Sequence, residues 1–145
     1  MVKSPPEGMP QCSPVLFYDD VPAAIAFLKG AFAFEERFVS RDEAGHVDHA
    51  QLRYGSALVM ISPARSPHAL RPIATPKATG RLSGCTYLFV DDVDAHARRA
   101  QEAGAEVVMP LTDTHYGDRL YCALDPEGHF WTFATHTQDV APYQP

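Results

Sequence analysis

Leu16-Phe17-Tyr18-Asp19-Asp20-Val21-Pro22-Ala23 and Leu88-Phe89-Val90-Asp91-Asp92-Val93-Asp94-Ala95 stand at a constant offset of 72 residues, and six of the eight paired positions are identical. The register then holds without a gap, so that Ala31 and Ala33 match Ala103 and Ala105. A similarity kept in step over that distance implies an internal duplication. Each copy has the same local logic. A short β-branched and aromatic run, 15–18 or 86–90, suits a strand. An Asp pair follows, and its carboxylates suit the cap of a helix whose first N–H groups lack partners. Apolar residues then recur at helical spacing, Val21, Ala24, Ile25 and Leu28 in the first copy and Val93, Ala97 and Ala100 in the second. Gly104 is a C-terminal stop for the second helix, whereas Phe32 holds the matching place in the first.

Strand-like segments complete each copy. In the first they are 36–40, 47–54 and 57–62, turned by Glu43-Ala44-Gly45 and Gly55-Ser56. In the second they are 106–110, 119–124 and 130–135, turned around Gly117 and Asp125-Pro126-Glu127-Gly128. The reading is α+β: one domain of two tandem βαβββ modules, about 13–62 and 84–136. The Pro-rich stretch 63–80 is poor material for helix or strand and reads as a linker. Residues 1–10 and 137–145 read as loose ends.

Whole-chain numbers narrow the function classes. At 145 residues the chain can bury a real core, and 46% hydrophobic with 21% charged residues is a soluble globular balance. A net charge of -6 with no basic run argues against nucleic acid, because phosphate contact demands a basic face. Three cysteines, Cys12, Cys85 and Cys122, with no CxxC pair, make a disulfide framework or zinc knot improbable and fit a reducing compartment. With no signal-like segment and no apolar membrane-length run, the expected location is cytoplasmic.

The duplicated strand-Asp-Asp-helix start and the closing Asp125-Pro126-Glu127-Gly128-His129-Phe130-Trp131 hairpin resemble the vicinal-oxygen-chelate superfamily of glyoxalases, bleomycin-resistance proteins and extradiol dioxygenases. Within it, Tyr116-Gly117-Asp118-Arg119 and Ala134-Thr135-His136 look closest to the PhnB-like branch. The resemblance implies a curved mixed sheet around a cavity, helices on the outer face, and a homodimer. It also implies metal-ligand places on the first and last strand of each module. Counting seven residues back from each second Asp, and four past Gly55 and Gly128, puts these at Ser13, Val59, Cys85 and Thr132. Such a set holds a divalent ion poorly, because zinc, nickel or iron needs three or four convergent N, O or S donors. No metal or other cofactor is therefore expected.

Strand alternation extends the cavity reading. If Ser13 faces inward, so do Val15 and Phe17. Cys85 brings Tyr87 and Phe89, Thr132 brings Phe130, and Val59 brings Ala57 and Ile61. On the third strand His49, Gln51 and Arg53 turn inward. His49 reads either as a pocket hydrogen-bonder or general base or as a satisfied strand histidine. His115, Tyr116, Asp118 and Arg119 read either as the pocket mouth, with Arg119 clamping an anion, or as an Asp118 turn with Arg119 in a structural ion pair. His96 reads as a flank residue, while His129 and Trp131 read as structural. The aromatic bowl favours a metal-free binding protein that sequesters an aromatic or drug-like compound, as in antibiotic resistance. The alternative is a divergent glyoxalase-like lyase or dioxygenase-related enzyme with a relocated site.

Overall fold

A computed structural model describes residues 4–65 and 71–140. Linker residues 66–70 and the terminal residues 1–3 and 141–145 lie outside the described residues. The elements run β1 (Val15–Tyr18), α1 (Val21–Phe32), β2 (Glu35–Arg41), β3 (Val47–Tyr54), β4 (Ala57–Pro63), α2 (Pro76–Thr79), β5 (Cys85–Phe89), α3 (Val93–Glu102), β6 (Glu106–Asp113), β7 (Asp118–Leu124) and β8 (Phe130–His136). They form two four-stranded mixed sheets, ordered β1-β4-β3-β2 and β5-β8-β7-β6. In each the first strand pairs in parallel with the last, and the other pairings are antiparallel. Among the described residues no helix is long and apolar enough to cross a membrane.

Both Asp pairs cap their helices. Asp20 Oδ1 accepts from the Ala23 N–H at 3.0 Å and Asp92 Oδ1 from Ala95 at 2.9 Å. The helices end differently. Helix α1 continues to Phe32, and Ala33 takes the left-handed conformation (φ 61°), unusual for a residue with a Cβ. Phe32 is wholly buried, its ring centroid 4.7 Å from Phe133 and 5.5 Å from Trp131. A core side chain has replaced the stop glycine, and the strained cap moves one residue on.

The core joins the modules. Val21, Ala24, Leu28 and Phe32 of α1, Val93, Ala97 and Ala100 of α3, and Leu52, Val59, Ile61, Trp131 and Phe133 of the sheets form one buried cluster. His96, expected on a flank, is at its centre with 5% exposure. Its Nε2–H donates to Phe32 O at 3.0 Å, and its Nδ1 accepts from the Tyr121 hydroxyl at 2.7 Å. Burial holds its pKa below the ordinary 6.5. A second inter-module clamp is the Asp125–Gly128 turn. The buried Asp125 carboxylate accepts from the Tyr18 hydroxyl (2.6 Å) and Trp131 Nε1 (3.0 Å), and from the Glu127 and His129 N–H groups (both 3.1 Å). Burial, then the adjoining Asp125 carboxylate, pushes the Tyr18 phenol well above 10.0. Glu127 accepts from Asp19 N and Asp20 N at the start of α1, where a negative charge suits the helix dipole.

Residues 71–80 of the linker are more ordered than their composition suggests. Thr75 caps the single turn α2 by accepting from Ala78 N at 3.3 Å, and Lys77 N donates to Glu127 O at 2.9 Å. That docking requires glycine at 128 (φ 86°), because a Cβ there would stand 2.9 Å from Lys77 N. Residues 137 and 138 are tied down as well. Thr137 N and Gln138 N both donate to Gly117 O, at 2.9 and 3.2 Å.

Candidate functional site: the open faces of the two sheets

The sheets do not close around a cavity. Each has one face against the shared core and one open face. On sheet two, Cys85, Tyr87 and Phe89 of β5 lie beside Phe130, Thr132 and Ala134 of β8, which gives all six the same facing. Tyr87 and Phe89 are 43% and 57% exposed, with ring centroids 5.4 Å apart. Beneath them Leu120, Cys122 and Ala134 form a small buried cluster against Phe130, and the Cys122 thiol meets the Thr132 hydroxyl at 3.4 Å. Phe17, Cys85 and Phe130 come together elsewhere, in an open cleft of about 720 Å³ between β1, β5 and the linker.

His49, Gln51 and Arg53 occupy the open face of sheet one. Arg37 donates to Gln51 Oε1, Gln51 Nε2 lies 3.4 Å from His49 Nε2, and Arg53 pairs with Glu35 at 2.9 Å. Val59, Ala57 and Ile61 require correction. Val59 pairs with Leu52 and Ile61 with Ala50, all buried on the core side. Met60, opposite Gln51, holds the open-face place. The count failed because Gly55 stands one position early in the repeat relative to Gly128, and a one-residue slip reverses a strand residue's facing. Met60 precedes Thr132 by the same 72 residues that separate Ser13 from Cys85.

Tyr116 is 45% exposed in the turn before β7. Arg119 is not part of this face. It turns toward α3, with Nε 2.9 Å from Asp94 Oδ2 and Nη1 3.0 Å from Asp113 Oδ1. Those bonds raise its pKa above the ordinary arginine value and hold the Asp94 carboxyl below the usual range. Trp131 also faces the core, so it reports on folding and not on this surface.

Asp118 and His136, quoted in the motifs above but given no place on this face, complete it. Asp118 is 7% exposed, accepting from the Tyr87 hydroxyl at 2.8 Å and from His136 Nδ1 at 2.7 Å. The signal was available in parity: Asp118 alternates with Leu120 and Cys122, and His136 with Ala134 and Thr132. Burial and the Asp118 carboxylate push the Tyr87 phenol well above its ordinary 10.0.

Two facing modules built from one repeat recommend one lineage, and the profile of the Glyoxalase/Bleomycin resistance protein/Dioxygenase superfamily matches residues 10–133. The chain belongs to that superfamily. Its glyoxalase-type fold matches TioX from Micromonospora sp. ML1 with a TM-score of 0.67 and 30% identity, covering 86% of this chain and 98% of that one. It also matches the fosfomycin resistance protein FosX of Listeria monocytogenes, solved with Mn(II) and sulfate, at a TM-score of 0.61 and 17% identity, covering 87% and 91%. An uncharacterized protein of Mycobacterium bovis is 35% identical over 131 residues, 90% of this chain and 86% of that protein.

The superfamily's metal does not fit the donors at its customary places here. Ser13, Met60, Cys85 and Thr132 supply two neutral hydroxyls, a thioether and one thiol, which form no nitrogen- or carboxylate-rich shell for a divalent ion. The Ser13 hydroxyl is buried without a hydrogen-bond partner. Among the described residues no three His, Cys, Asp or Glu side chains are grouped as metal ligands.

Proposed function

We propose that this superfamily member binds a small aromatic or drug-like molecule without a metal, on the open face of sheet two. The observation that carries the reading is the pair of half-exposed rings, Tyr87 and Phe89, set side by side over a floor of Leu120, Thr132 and Ala134. Large apolar groups left open on one face usually mark a binding surface. Tyr116 and Phe130 extend the wall, Cys85 and Phe17 border the adjoining cleft, and Thr132 with Cys122 supplies polar atoms beneath.

A second copy completes the site in this proposal. Val15 and Phe38, 44% and 49% exposed, leave sheet one apolar enough to cover a partner's aromatic face, bringing His49, Gln51 and Arg53 toward the ligand. Cys12, Cys85 and Cys122 are free thiols, which suits the cytoplasm. The Tyr116-Gly117-Asp118-Arg119 run supports placement in the PhnB-like branch, and sequestration of the ligand fits an antibiotic-resistance role.

The test is a thermal-shift screen of planar aromatic compounds, followed by titration against the Tyr87→Ala/Phe89→Ala double variant. A ligand selective for the native state raises the melting temperature by mass action. The double variant should stay folded, since both rings are exposed, and should lose that shift. No stabilising aromatic compound, or equal stabilisation of the double variant, would refute the proposal. Sedimentation should give a dimer.

A further inference from the structure

We propose that His136 is an anion subsite at the end of the aromatic face, built for the carboxylate of an aromatic acid, and that Asp139 occupies it in the free protein. The inference rests on the aromatic-face reading and names the ligand's second functional group. His136 is two residues beyond Ala134 on β8, and Ala134 lies beside Phe89, so the imidazole continues the row that carries the exposed rings. The Asp118 side chain, only 9% exposed, holds His136 Nδ1 at 2.7 Å and the Tyr87 hydroxyl at 2.8 Å. One buried carboxylate thus positions both the ring that would stack on the ligand and the cation that would meet its charge.

His136 Nε2 lies 3.0 Å from Asp139 Oδ1. A neutral imidazole has one N–H, so two carboxylate contacts through its two nitrogens require the imidazolium. The hydrogen bonds to Asp118, then Asp139, accordingly raise the His136 pKa above 6.5. The two contacts differ in character. Asp118 is buried and structural, whereas the Asp139 side chain is fully exposed, and exposed ion pairs of this kind are weak. An incoming carboxylate can take the place of Asp139 on Nε2 at the same geometry. The groups facing the imidazole are Asp118 from β7, Asp139 from the segment after β8, and Tyr87 from β5 through Asp118, with Tyr116 near Tyr87. A single N–H beside the Asp118 charge suits a monoanion better than a phosphate dianion. Arg119 cannot serve, since Asp94 and Asp113 hold it.

The experiment is calorimetric titration with 2-naphthoate and neutral 2-naphthamide, on the unmodified protein, His136→Gln and Asp139→Asn. Naphthoate should bind the unmodified protein more tightly than naphthamide near pH 6, and lose about tenfold in affinity per pH unit once His136 has deprotonated. Asp139→Asn, at an exposed position that leaves folding intact, should tighten naphthoate about threefold or more and leave naphthamide unchanged. His136→Gln should erase the preference for the acid. Naphthoate no tighter than naphthamide, or unmoved by Asp139→Asn, overturns the subsite while leaving the aromatic face in place. Failure of both probes to bind overturns the aromatic face, and the subsite with it.

Discussion

Replacing Asp125 with alanine should be among the most damaging single changes in the molecule. Four donors converge on that carboxylate: the Tyr18 hydroxyl at 2.6 Å, Trp131 Nε1 at 3.0 Å, and the Glu127 and His129 N–H groups at 3.1 Å. Tyr18 and Trp131 are 1% and 0% exposed, so neither freed side-chain donor could turn to water. Hydrogen bonds to a charged group contribute about 1.5–3 kcal/mol each, and a stranded buried donor costs about 1–3 kcal/mol. Because the four bonds share one acceptor their costs do not add, and a loss of about 4 kcal/mol is the working figure. For a chain of this size, at about 3 °C per kcal/mol, that lowers Tm by about 12 °C. Tyr18→Phe removes one donor and keeps the acceptor occupied by the other three, so its cost should be about 1.5 kcal/mol. The assay is equilibrium denaturation followed by fluorescence of Trp131, the sole tryptophan and a member of the same cluster. If Asp125→Ala costs no more than Tyr18→Phe, the carboxylate is not the clamp between the modules and the reasoning fails.

Gly117→Ala should free the segment after β8. At φ 95° its Cβ would stand 2.0 Å from Gln138 O, so residues 137–140 must move; hydrogen exchange at Thr137 and Gln138 should accelerate, and unchanged protection would refute the account. Stability should fall on both sides of neutrality, for two different histidines. The raised pKa of His136 gives a contribution that is full below 6.5 and lost as pH rises through its folded value, and the lowered pKa of His96 gives one present above 6.5 and lost as pH falls. Melting temperature against pH should show both limbs, and His136→Gln should flatten only the alkaline one. Added Zn²⁺, Ni²⁺ or Mn²⁺ should leave Tm unchanged in protein without a histidine tag, since a native-state metal site would raise it; stoichiometric, stabilising metal would overturn the donor-set argument.

Much of the fold was legible because its signals are local. The repeated octet, the Asp caps and the turn glycines each act within a few residues, and they define two βαβββ modules before any contact is known. Facing along β1, β5 and β8 followed from alternation, since the counts there started from aligned positions. It failed on β4, where Gly55 sits one residue out of the repeat and carried Val59, Ala57 and Ile61 to the wrong side. Arg119 was legible as a charged turn residue with two readings, and only the approach of α3 brought Asp94 to it.

Sequence alone therefore determined the modules and their duplication, because both depend on residue type at short spacing. Tertiary structure decided what long-range packing controls. It placed His96 at the junction of α1, α3 and Tyr121, where burial keeps the ring neutral. It left the two sheets open, with their aromatic faces uncovered. It also drew Tyr87, Asp118 and His136 from three strands into one hydrogen-bonded row, since neighbours across a sheet are set by strand pairing and not by separation along the chain.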